Sequence, residues 1–215
     1  MKKIIALICL AVILFVGFST YVINETDDRF QIEADLPLQV ASQMKNYITY
    51  EQIPQDLINA VISVEDQRFF SHAGIDFIGL GRALVVNIKN GRLVQGGSTI
   101  TQQLAKNLFL SQEQTIVRKI KELFLTFALE RNYSKEEILE MYLNYSYFGA
   151  GAYGISEASE KFFQKDVSQL TVEECALLAG VLKGPSIYNP IASLEKANER
   201  QAIVLSLMRE NGYLE

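Results

Sequence analysis

The sequence predicts a mostly α-helical protein, and three observations carry that reading. Thr99 with Gln102, Ser134 with Glu137 and Thr171 with Glu174 form capping boxes, each marking a helix start. Apolar residues recur at helical spacing, with no sustained alternation, internal repeat or low-complexity tract. Glycines at Gly91, at Gly96-Gly97 and from Gly149 to Gly154 fall between the helical stretches, where loops are needed.

The first element is the stretch "IIALICLAVILFVGFSTYVI", Ile4 to Ile23, which follows Met1-Lys2-Lys3 and carries no charge. At about 20 residues it is long enough to span a bilayer as a helix. The apolar core of a cleaved signal peptide is shorter, about 7–15 residues, and ends at a small-x-small site. Here the apolar run continues through Tyr21-Val22-Ile23, and Ile8 before Cys9 makes a poor lipoprotein site. Lys2 and Lys3 precede the span and "NETDD" follows it, which sets the N-terminus in the cytoplasm and the rest outside. The predicted organisation is residues 1–24 as cytoplasmic N-terminus and transmembrane anchor, 25–50 as a polar connector, and 51–215 as one globular domain.

Composition fits that plan. With 215 residues, 49% of them hydrophobic, the chain supplies one well-packed domain and an anchor. A net charge of -5 excludes a nucleic-acid binder. The two cysteines, Cys9 and Cys175, have no metal-ligand spacing, and Cys175 lies among small and aliphatic residues as a core filler. A single histidine, His72, excludes a multi-histidine metal centre.

A helix is expected from near Pro54, a residue suited to a first turn. On its wheel Leu57, Ile58, Val61, Ile62, Val64 and Phe69 share one broad arc, with Glu65 in the middle of it. Asn59, Ser63, Asp66 and Gln67 take the other side, so Asp66 is expected to face solvent. An acid on an apolar face is the first sign of chemistry.

The second is "QGGSTITQQLAKN". Gly96-Gly97 permit close backbone approach, and Ser98 and Thr99 precede a helix N-terminus, where free N–H groups favour an anion. Lys106 follows Gln102 by one turn, so hydroxyl, amide and ammonium can share a face suited to a phosphate. The P-loop pattern is absent. Alone, the stretch reads equally as a capped helix with a polar face.

The third is "TIVRKIKELFLTFALE", within a helix expected between Ser111 and Arg131. Ile116, Ile120, Leu123, Phe124 and Phe127 make the expected core stripe. Arg118 and Glu122, spaced i, i+4, share the far side with Leu125 and Leu129. That is the pattern of a helix lining a cleft, or of a solvated ion pair beside two exposed leucines. Further helices follow Ser134 and Thr171, and the last runs from Asn198 to Glu210.

Taken together, these stretches resemble the peptidoglycan glycosyltransferases, glycosyltransferase family 51. These occur as monofunctional transglycosylases or as the N-terminal half of bifunctional penicillin-binding proteins. The resemblance runs from about Ile53 to Met208 through five ordered motifs: "EDQRFFSHAG", "GGSTITQQLAKN", "RKIKE", "KEEILEMYLN" and "RQAIVLSLM". The chain stops after the fifth, as in the monofunctional form.

The resemblance implies a lysozyme-like glycosyltransferase fold, with a globular head and a smaller membrane-facing jaw around a long cleft. It implies a bacterial membrane enzyme that polymerises lipid II into glycan strands. The 4-hydroxyl of an acceptor N-acetylglucosamine attacks the anomeric carbon of the donor's N-acetylmuramic acid. Polyprenyl pyrophosphate leaves, and inversion gives a β-1,4 linkage. By the same resemblance Glu65 is the general base, a role suited to a carboxylate partly withdrawn from water. Glu122 is the second essential glutamate, holding Arg118 or the donor pyrophosphate region. Lys106 and Arg118 are the cations facing pyrophosphate, with Ser98, Thr99 and Gln103 as polar contacts. Asp66, Phe69 and His72 support the site, Phe69 by packing and His72 as a hydrogen-bonding brace. No cofactor is obligatory, although a divalent cation, magnesium or manganese, can assist the family. The implied partners are lipid II, the growing lipid-linked strand, the membrane and other cell-wall synthesis proteins.

One departure stands out. Family members often carry an arginine just before the equivalent of Thr115, and here the residue is Gln114, with Lys119 as a nearby substitute charge. Two other functions compete. A lysozyme-like enzyme that cleaves glycan would have no use for the Ser98–Lys106–Arg118 anion site. An inactive membrane-anchored scaffold or glycan-binding protein would have no use for both glutamates.

Overall fold

The computed structural model describes residues 32, 35–92, 96–111, 113 and 115–215. The expected anchor, Ile4 to Ile23, and the departure at Gln114 lie outside them. No helix among the described residues is long and apolar enough to cross a membrane.

The described chain is mostly helical. Its helices are α1 (Leu36–Gln43), α2 (Gln55–Glu65), α3 (Phe77–Asn90), α4 (Ile100–Phe109), α5 (Ile116–Asn132), α6 (Lys135–Tyr145), α7 (Gly154–Phe163), α8 (Val172–Val181), α9 (Pro185–Tyr188) and α10 (Leu194–Glu210). A two-stranded antiparallel hairpin, β1 (Tyr147–Gly149) with β2 (Ala152–Tyr153), joins α6 to α7 within the glycine-rich stretch. The capping boxes at Thr99, Ser134 and Thr171 form with both reciprocal hydrogen bonds, opening α4, α6 and α8. Pro54 sits one residue before the first turn of α2 rather than inside it.

Helix α8 is the centre of the core. Every residue from Cys175 to Val181 is buried, so the helix is apolar on all sides and must be surrounded. Helices α2 and α10 pack against it and against each other. Burial pushes the Cys175 thiol up to about 12, so it stays a neutral filler. On the other side of the domain, α4 packs between α5 and α6. Helix α1, inside the stretch read as connector, packs on α6.

Two polar residues of α6 tie down the chain that enters the domain. Glu140 accepts from the Tyr47 hydroxyl and from the Tyr50 backbone N–H, each at 2.7 Å. The Asn144 side chain accepts from the Ile48 N–H at 2.9 Å and donates to the Ile48 carbonyl at 2.8 Å. These "KEEILEMYLN" residues hold the fold rather than the chemistry.

Helix α5 departs from its expected packing. Its buried residues are Ile120, Glu122, Leu125, Thr126 and Leu129, the side that carries the ion pair. Of the expected stripe, Ile116, Phe124 and Phe127 are exposed. Hydrophobicity alone points to the wrong face, because the buried face packs beside a polar cleft and keeps Glu122 and Thr126.

Helix α3 buries only Ala83. Phe77, Ile78, Leu80, Leu84, Val85 and Ile88 are all exposed, giving the domain an apolar face that no other described residue covers.

Between α2 and α3 the chain turns at Gly74, whose φ is +89°. A Cβ there would lie 2.7 Å from Thr126 Cγ2 of α5. Both the positive φ and the close approach call for glycine. Gly74→Ala is therefore expected to destabilise the domain by about 2 kcal/mol. A thermal melt checks it, with a midpoint lowered by about 5 °C.

Candidate active site

Helix α2 ends on Glu65, and this sets the divergent fates of two adjacent acids. Glu65 keeps helical geometry and stands half-buried in a cleft of about 480 Å³. Asp66 leaves the helix at φ −158° and turns inward, with 6% of its surface exposed. Asp66 therefore does not face solvent as expected, because helical periodicity stops at Glu65 and no longer sets the direction of the next side chain. Ser63, also placed on the polar side, is buried and lines the same cleft.

Buried Asp66 acts as a knot. Both of its carboxylate oxygens lie 3.0 Å from His72 Nε2, and Oδ2 also accepts from the Ile100 N–H at 3.1 Å. An ionised carboxylate beside a free helix N-terminus is stabilising, and it fixes the start of α4 against the end of α2. Phe69 is fully buried below, with the Lys135 ammonium 4.4 Å from its ring centroid. Asp66, His72 and Phe69 thus brace the cleft from behind.

Helix α4 supplies the next wall. Thr99 is buried, and its hydroxyl donates to the Gly74 carbonyl at 2.7 Å while accepting from the Gln102 N–H. That hydroxyl is occupied by the fold, whereas Ser98 is exposed at the cleft. Gln103 lies between two side chains: its amide nitrogen donates to Glu65 Oε2 at 2.7 Å and its oxygen accepts from the Tyr142 hydroxyl at 3.1 Å. Lys106 lines the cleft and has no ion-pair partner among the described residues.

Helix α5 brings the remaining charges. Glu122 is 3% exposed, and its carboxylate accepts from Arg118 Nη1 at 2.8 Å on one oxygen and from Lys119 Nζ on the other. Lys119 also lies 3.5 Å from the Ser98 hydroxyl. Ser98, Lys106 and Glu122 line both the main cleft and an adjoining opening bordered by Thr115, Arg118 and Lys119. Two cations share one buried carboxylate, leaving net positive charge at that opening, with Lys106 adding to it.

Among the described residues, no three His, Cys, Asp or Glu side chains come together to hold a metal ion. Both Glu122 oxygens are engaged by the cations Arg118 and Lys119.

The cleft also contains groups that sequence reading missed. Lys183 and Arg200 line it from the far side, on the loop after α8 and on α10. A signal for Lys183 was present, since it is the only charged residue between Glu174 and Glu195. Arg200 opens the fifth motif without any pattern that would assign it a direction.

A family model described as transglycosylase matches residues 34–209. Penicillin-binding protein 1A/1B of Bacillus subtilis is 49% identical over 177 residues, 82% of this chain and 19% of that protein. A Cupriavidus necator protein provisionally named a transglycosylase is 46% identical over 167 residues, 78% of this chain and 72% of that one. The 2.6 Å crystal structure of penicillin-binding protein 1A from Haemophilus influenzae aligns at a TM-score of 0.46 and 24% identity, covering 79% of this chain and 16% of that one. The chain spans 19%, 32% and 22% of the length of the penicillin-binding proteins 1A/1B of Bacillus subtilis, 1A of Aquifex aeolicus and 1A of Escherichia coli.

Proposed function

The chain belongs to the transglycosylase family of peptidoglycan glycosyltransferases, and from that premise we propose that it polymerises lipid II into glycan strands. The observation that carries this reading is one cleft lined by Glu65 at one wall and by Lys106, Glu122 and Lys183 at the others. A base and a set of cations on one cleft suit transfer from a pyrophosphate-linked sugar. A cleft built only to hydrolyse glycan has no use for the cations.

In this reading Glu65 takes the proton of the acceptor 4-hydroxyl as its oxygen attacks the donor's anomeric carbon. The bond from that carbon to the phosphate oxygen breaks, and polyprenyl pyrophosphate leaves with the electron pair. Lys106 and Arg118 stabilise the charge that collects on the leaving group. Glu122 fixes the Arg118 guanidinium through the 2.8 Å contact, with Lys119 as its second partner. The lysozyme-like arrangement of head and jaw, the anchor at residues 1–24, and an extracytoplasmic domain over 51–215 complete the proposal. Release of one polyprenyl pyrophosphate for each glycosidic bond formed, measured on the full-length protein in detergent, tests the reaction. Consumption without pyrophosphate release contradicts it.

The exposed face of α3 supports a membrane-facing jaw. Phe77, Ile78 and Ile88 are each at least 70% exposed, on a helix whose core contribution is one alanine. Burial of such a side chain in the acyl boundary is worth part of about 1.5–3 kcal/mol. The double substitution Leu84→Asp with Ile88→Asp should slow polymerisation of bilayer-embedded lipid II by about tenfold. The same variant in detergent micelles should keep its rate. Equal rates on bilayers would remove α3 from the membrane.

A further inference from the structure

Building on the assignment of Glu65 as base, we infer that Tyr142 is a positioning residue for it, acting through Gln103. Tyr142 lies on α6, is 1% exposed, and touches through its hydroxyl the Gln103 side chain that lines the cleft. The hydroxyl donates to Gln103 Oε1 at 3.1 Å, and Gln103 Nε2 donates to Glu65 Oε2 at 2.7 Å. The buried Ser146 lies beside the same phenol and lowers its pKa against the burial that raises it. Three helices, α6, α4 and α2, are thus linked by one directional chain ending on the carboxylate.

The direction matters because an amide has two ends. Burial, reinforced by the negative charge of Glu65, holds the Tyr142 phenol well above its usual range, so it remains a protonated donor. A donor at the buried end holds the amide oxygen, and the amide N–H group is left to face Glu65. The reversed amide would set its carbonyl against the carboxylate, acceptor against acceptor, an arrangement only a protonated Glu65 satisfies. Tyr142 therefore holds the amide with its N–H group towards Glu65 and fixes the carboxylate in direction, as a base that must meet an incoming hydroxyl requires. Removing the hydroxyl leaves the amide free to turn. Substrate contacts stay in place, so the loss falls on turnover rather than binding.

The test uses full-length protein in detergent with lipid II. Tyr142→Phe keeps the ring and removes the donor, and should lower kcat about tenfold with KM within about twofold, as expected when a positioned group is misaligned. Gln103→Met removes both hydrogen bonds at similar volume and should lower kcat by at least as much. Combining the two should bring no further loss, because Tyr142 acts only through Gln103. Wild-type kcat in Tyr142→Phe, or an undiminished effect of Tyr142→Phe in the Gln103→Met background, overturns the inference. If Tyr142→Phe fails to fold in a thermal melt, Gln103→Met carries the test, and wild-type kcat in that variant overturns it. Glu65→Gln in the same assay separates the premise: an active Glu65→Gln removes the base assignment itself, whatever Tyr142 does.

Discussion

Glu65→Gln is expected to lower lipid II polymerisation by at least about a hundredfold while leaving the fold intact. The substitution keeps the volume and removes the proton acceptor, and loss of a positioned base costs about 10²–10⁴ in rate. The fold should tolerate it because Glu65 is only half-buried, at the last position of α2, and makes no ion pair among the described residues. Gln103 Nε2, which donates to Glu65 at 2.7 Å, finds an acceptor in the new amide oxygen. The thermal midpoint should therefore move by only a degree or two. A near wild-type rate would move the base elsewhere in the cleft.

Glu122→Gln should be as damaging, for a different reason. The carboxylate binds Arg118 on one oxygen and Lys119 on the other, and only 3% of Glu122 is exposed. An amide can satisfy one cation and turns an N–H group towards the other. Removing one partner of a fully buried pair costs about 3–5 kcal/mol. Here the cost is lower, about 1–3 kcal/mol, because the Lys119 side chain is 44% exposed and can turn to water. Arg118 cannot do so as readily: its side chain is 16% exposed and its Nε has no hydrogen-bond partner among the described residues. A guanidinium displaced by about 1 Å from a departing pyrophosphate loses about a hundredfold in rate. Polymerisation rate and thermal midpoint, measured together, should both fall. Lys119→Met should lower each by less. Equal losses in the two variants would mean that Glu122 acts through Lys119 rather than Arg118.

What the sequence made legible follows from which local rules survive packing. The starts of α4, α6 and α8 were readable because a capping box is satisfied within four residues and needs no tertiary partner. Glu65 was readable because an acid on an apolar arc contradicts the pattern around it. Helix α5 fits the cleft-lining reading of its Arg118–Glu122 side, with Leu125 and Leu129 buried beside it, and not the core stripe expected opposite. Its hydrophobic stripe is real, but Ile116, Phe124 and Phe127 are exposed, while Glu122 and Thr126 face inward. Periodicity reports where apolar side chains lie, and a helix beside a polar cleft buries a mixed face. Helix α3 was missed because its apolar residues answer to no core. Helix α7, which opens on Gly154 with φ +78°, was hidden in a glycine cluster that reads as loop. The inward turn of Asp66 depends on the helix ending at Glu65, which no residue type announces. The places of Lys183 and Arg200 in the cleft wall, and of Tyr142 behind Gln103, depend on tertiary placement alone.

The most direct test of the central claim is gel electrophoresis of labelled lipid II after incubation with purified full-length protein. The account predicts a ladder of glycan strands that grows with time and is absent with Glu65→Gln. Unchanged lipid II with the wild-type protein, or shortening of pre-formed strands in its place, would contradict it.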